Sequence, residues 1–145
     1  AADREAIIEA IKDGTIDIIA TDHAPHAAEE KAKDFFSAPS GIIGLETALP
    51  LAISELHHKH GIDLIKIIKM LTINPARLYG LEEGSIKVGS KADLVIFDIN
   101  KEFIYEKSSS KSQNSPFLGE KLKGKVMYTI KNGEVVYSED DRFNC

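Results

Sequence analysis

The run "IDIIAT", residues 16 to 21, constrains this chain more than any other stretch of its sequence. It is short, apolar and β-branched, which is the composition of a strand buried on both faces of a parallel sheet. Parallel strands need neighbours that arrive through long crossovers, yet before residue 81 only this run carries the pattern. A complete (β/α)8 barrel takes about 250 residues, and the chain has 145. The sequence therefore predicts an α/β fold holding no more than the last part of such a barrel. The lone strand would lack both neighbours and expose an open edge, so association with further copies or a loosely held segment 22–44 is expected. The opening "AADREAIIEA" reads as the inside of a helix, which points to a start within a longer protein.

Helical signals surround the run. Ile7, Ile8 and Ile11 fall on one face, with Asp3 as a candidate N-cap and Gly14 as the stop. After a polar loop from 22 to 44, Leu45, Leu49, Ile53 and Leu56 recur at helical spacing, and Pro50 predicts a late start or a kink. Asp63 is placed to cap "LIKIIKML". In "NPARLYG", Asn74 reads as a cap, Pro75 as a first-turn residue and Gly80 as terminator, with Arg77 a candidate for a surface or interhelix ion pair.

From about residue 81 the pattern becomes β. Leu94 to Ile99 is a strand candidate, and "KVMYTIKNGEVVY" is two β-rich runs joined by Asn132-Gly133, a strong hairpin signal. The expected organisation is residues 1–80 as the end of the barrel, its last strand and helices, and residues 81–145 as part of a composite β-sandwich.

Charge and composition exclude several classes. A net charge of −5 leaves no basic footprint for nucleic acid. No apolar run approaches the roughly 20 residues of a membrane span. The one cysteine, Cys145, permits no disulfide framework, which suits a cytoplasmic location.

Asp22 ends the predicted strand, and in a parallel barrel active sites lie at the C-terminal ends of the strands. A carboxylate there can bind a metal, act as a general base, or do both in turn. His23 and His26 follow within four residues, with Pro25 stiffening the segment between them. The plainer alternative is a turn-capping Asp22 beside solvated histidines, and spacing alone leaves both open.

Five segments bear on that choice: "ATDHAPH", "GIIGLETALPL", "LTINPARLYGL", "GSIKVGSKADLVIFD" and "NSPFLGEKLKGKV". In this order they resemble the C-terminal part of the dihydroorotases, within the amidohydrolase superfamily. The resemblance implies a zinc-dependent enzyme of pyrimidine synthesis that reversibly cyclises N-carbamoyl-L-aspartate to dihydroorotate, with two zinc ions in the whole protein. It implies that Asp22 contacts one zinc and shuttles the proton, that His26 binds the substrate carboxylate, and that Gly41 holds substrate through its backbone. Ser40 stands where several relatives carry phenylalanine. His23 receives no role. The family's remaining metal ligands and its substrate-binding arginine lie upstream of residue 1. Since catalytic zinc takes about three protein ligands, the chain alone is expected to be inactive and to need the N-terminal part of the same protein.

Related readings are a hydantoinase- or allantoinase-type cyclic amidohydrolase, and a non-catalytic dihydroorotase-like subunit that scaffolds aspartate transcarbamoylase. Elsewhere, His57, His58 and His60 read as a solvated helix end rather than a metal site. Lys31 and Lys33 read as solvated surface, and Asp93 and Asp98 as turn and edge residues.

Overall fold

The computed structural model describes residues 2–140, so Cys145 lies outside the described residues. Helix α1 (Ala2–Asp13) buries Ile8 and Ile11, and Gly14 leaves it at φ +92°. A single turn, α2 (Ala28–Lys31), interrupts the loop after Asp22. Helix α3 (Ala48–Leu51) runs directly into a wider π-type helix over Ala52–Lys59. Pro50 thus sits in the first turn of a late-starting helix, where its missing N–H costs nothing. Helix α4 (Leu64–Leu71) is capped by Asp63, whose carboxylate accepts the Lys66 amide at 3.0 Å.

In α5 (Ile73–Leu78) the N-cap position is Thr72, not Asn74. The Asn74 amide instead donates to the Asp17 carbonyl at 2.8 Å. The helix therefore begins before the asparagine, whose side chain is spent on another segment. Arg77 makes no ion pair among the described residues.

The predicted strand at 16–21 is the main correction. Among the described residues it pairs with no strand, and Ile16, Ile18 and Ile19 are half-buried rather than enclosed on both faces. A ladder needs a neighbour, and none is within the described chain. Two of its amides are met by helices instead: the Ile16 amide donates to Ala10 O at 2.9 Å and the Ile19 amide to Met70 O at 3.1 Å. Ile16 and Ile19 pack on the core formed by Ile11, Ala52, Ile62, Ile67 and Met70.

The one sheet among the described residues is three-stranded, open and antiparallel, in the order β1 (Leu94–Ile104), β2 (Lys121–Lys131), β3 (Glu134–Ser138). Strand β1 continues past Ile99 because an irregularity between Asp98 and Glu102 absorbs the extra residues. There Asp98 accepts the amides of Asn100 and Lys101. The hairpin falls where the sequence places it, with Asn132 at φ +51° and Gly133 at φ +86°, the left-handed pair of a tight two-residue turn. Asp93 pins it through the Asn132 amide at 2.7 Å and the Lys131 ammonium, a turn role as expected.

Sheet and helices meet at Gly124. A Cβ there would lie 2.6 Å from Ile53 Cδ1, and its φ is +95°. Only glycine lets β2 approach the fully buried Ile53 so closely. Beside it the Lys123 amide donates to Ser54 Oγ at 2.9 Å. His57 is half-buried and bonds the Ile62 carbonyl at 2.9 Å, while His58 stays exposed at the helix end and bonds the Ile99 carbonyl at 2.7 Å. No helix of the described residues is long and apolar enough to cross a membrane.

Candidate active site

The segment after residue 21 turns at once. Asp22 adopts φ +45°, a left-handed conformation that aspartate tolerates better than most residues. It is exposed, and its carboxylate takes no hydrogen bond or ion pair among the described residues. A carboxylate left without a partner is free to bind a ligand or exchange a proton.

Immediately beyond, residues 23–26 lie alongside residues 40–44. His23 and Ile42 form a parallel bridge, and the Ala24 amide donates to Ile42 O at 2.9 Å. His23 Nδ1 accepts the Gly44 amide at 3.0 Å, which leaves the neutral ring's proton on Nε2. His23 thus fastens the residue after Asp22 to the facing segment. Gly41, at φ +110°, lets the two segments touch: a Cβ on it would meet Ala24 Cβ at 2.6 Å.

His26, Ser40 and Gly41 are brought together. His26 Nε2 donates to the Ser40 carbonyl at 2.9 Å, while Nδ1 lies 3.8 Å from Glu30 Oε2. Ser40 therefore takes part through its main chain. Lys31 is not solvated surface. Its ammonium donates to the carbonyls of Pro39 and Gly41 at 2.9 and 3.3 Å, clamping the loop. The 22–44 segment is thus tied down at both ends rather than loose.

One contributor went unseen in the sequence. Asn114 Nδ2 donates to Ala24 O and Gly41 O at 2.9 and 3.3 Å, and its Oδ1 accepts the His26 amide at 3.3 Å. The only signal was its place in "NSPF", which says nothing about contacts some 90 residues away. A second bridge to the same loop runs through Glu46, which accepts from Tyr105 Oη and the Ser109 amide, both at 2.9 Å. Burial pushes its carboxyl up, but hydrogen bonds from Ser108, Ser109 and Tyr105 outweigh that and hold it below its ordinary value.

A groove of about 790 Å³ between α3, α4 and residues 82–97, with Leu49, Ile68 and Phe97 in its wall, includes neither Asp22 nor His26. The candidate site is carried by geometry and chemistry, not by that groove. Among the described residues no group of three or more His, Cys, Asp or Glu side chains could hold a metal ion. Asp22 supplies a single donor where catalytic zinc uses about three protein ligands, so these residues do not make a zinc centre by themselves.

Residues 1–136 match the model of the amidohydrolase family. The chain belongs to the amidohydrolase family. It is similar to dihydroorotases from Clostridioides difficile strain 630 and from Aquifex aeolicus strain VF5. Each is 55% identical over 94% of this chain and 32% of the relative. This amidohydrolase chain thus spans about a third of the length of the curated relatives it matches. Its α/β fold is related to that of the hydantoinases. The L-hydantoinase of Arthrobacter aurescens superposes with a TM-score of 0.82 at 32% identity, over 92% of this chain and 31% of that one.

Proposed function

We propose that this chain is part of a cytoplasmic, zinc-dependent dihydroorotase that interconverts N-carbamoyl-L-aspartate and dihydroorotate. The observation that carries the reading is an Asp22 carboxylate with no hydrogen bond or ion pair among the described residues, four positions before the His26 that closes onto Ser40, in a sequence half identical to dihydroorotases along nearly its whole length. In this reading residues 1–80 are the end of the amidohydrolase barrel and 81–145 part of a composite β-sandwich. Asp22 is one zinc ligand, and the others come from outside the described residues.

In the hydrolytic direction Asp22 takes the proton of the attacking water and passes it to the departing ring nitrogen, so that neither charge accumulates. The Ser40–Gly41 main chain and His26 hold the acidic substrate. Because His26 Nε2 already donates to Ser40 O, the ring must exchange that carbonyl for the substrate carboxylate, a stronger acceptor.

The experiment uses the intact protein that carries this chain, supplied with zinc, and follows ring opening of dihydroorotate. Turnover of dihydroorotate at high kcat/KM is expected, with none from residues 1–145 alone given the same zinc. The likeness to hydantoinases makes a neutral cyclic amide the competing substrate. Preference for hydantoin or dihydrouracil over dihydroorotate would move the assignment to that branch, and turnover by the isolated chain would refute the shared-site reading.

A further inference from the structure

We propose that Asn114 is the positioning residue for the substrate-carboxylate end of the site, setting it from the β-rich part of the chain. The inference rests on the dihydroorotase reading for the nature of the ligand, while the contacts themselves do not depend on it.

One side chain ties both walls of the cluster. Its two N–H groups reach Ala24 O on one segment and Gly41 O on the other, and its oxygen takes the His26 amide. Its own carbonyl accepts the Ile43 amide at 3.2 Å. Two donors and one acceptor on a short stem are what an asparagine offers. An aspartate keeps the shape but turns an anion toward two carbonyl oxygens, and a glutamine is one methylene too long.

Asn114 is itself held. The Gln113 amide donates to the carbonyls of Ser108 and Ser110 at 3.2 and 2.9 Å, and Glu46 anchors the same loop through Tyr105 and Ser109. The main chain at His26 and Gly41 is therefore fixed from residues 105–115, while the His26 ring closes onto Ser40. Asp22 shares none of these bonds. Substrate placement and proton relay are thus separable. Loss of Asn114 should act on the first and spare the second.

The test compares intact, zinc-loaded wild type with Asn114→Asp and Asn114→Ala. Losing these half-buried hydrogen bonds, which hold His26 and Gly41 in place, should raise KM for dihydroorotate roughly 10- to 100-fold, with kcat within about threefold. Zinc content by mass spectrometry should not change. Dihydrouracil, the same ring without the carboxylate, should inhibit wild type and variants equally. Unchanged KM in folded variants overturns the proposal. So does a loss shared among kcat, zinc content and melting temperature, or failure of both variants to fold, because each assigns Asn114 a general structural role. Wild type that fails to turn over dihydroorotate is a different result: it removes the functional reading, and this inference falls with it.

Discussion

The hairpin sheet and the 22–44 segment are ordered in opposite ways. Strands β1, β2 and β3 hold one another through long antiparallel ladders, interrupted by register shifts, and a turn whose residues, Asn132 and Gly133, are adjacent in sequence. The site segment has one bridge, His23 to Ile42. Beyond it, side chains hold main-chain groups: His23 on Gly44, Lys31 on Pro39 and Gly41, Asn114 on three residues at once. A ladder spreads its strength over many equivalent bonds. Clips concentrate geometry in a few residues, so a single substitution should alter the site without unfolding the sheet.

The largest effect expected from that contrast is at Asp22. Asparagine also tolerates the left-handed backbone, so Asp22→Asn removes the proposed proton acceptor and keeps the turn. In the intact protein kcat should fall by about 10²–10⁴-fold, while the urea midpoint stays within experimental scatter of wild type. A variant that keeps full turnover would deny Asp22 any part in proton transfer. One that also unfolds early would make it a structural residue of the turn.

The reverse case is Gly124, where stability should suffer and the site should not. Alanine there must take φ +95° and place its Cβ within about 3 Å of three Ile53 atoms. Overpacking and backbone strain together should cost about 2–4 kcal/mol, read as a lowered urea midpoint. The KM of the surviving folded enzyme should be unchanged. A neutral Gly124→Ala would mean that β2 and the helix it packs on can separate freely, and the proposed division of labour between sheet and clips would lose its base.

What could be read in the sequence follows the same line. Asp63, the Asn132-Gly133 turn and the late helix at Pro50 are set by neighbours within a few residues, and each stands where expected. The grouping of His26, Ser40 and Gly41 was legible through family resemblance rather than periodicity. The 16–21 run failed as a strand because its composition describes a partner the described residues do not supply. Asn74 and Asn114 were misread or missed for one reason. An asparagine in a turn-like sequence has an obvious local use, and in both cases the amide is spent on a segment at least 57 positions away. Lys31 makes the same point, since it looked like solvated surface and closes onto two carbonyls.

The smallest effect concerns the joint between the two regions. Glu46 stands just before α3, and its partners Tyr105 and Ser109 belong to the loop that carries Asn114. Its carboxyl is held below the ordinary value of 4.5, so the folded state binds this proton less readily than the unfolded chain. The stabilisation is therefore fully present above about pH 4.5 and is lost as pH falls through the lower, folded-state value. Glu46→Gln should flatten that acid limb of the stability curve and leave stability at pH 7 slightly reduced. If the clip and the joint work together, acidification should also weaken amide-exchange protection at Ala24 and Ile43 in wild type, both bonded within the cluster, before the β1–β2 ladder opens. Simultaneous opening of ladder and cluster would show that the two regions melt as one unit, and the contrast between ladder and clip would then describe bonding pattern alone, not stability.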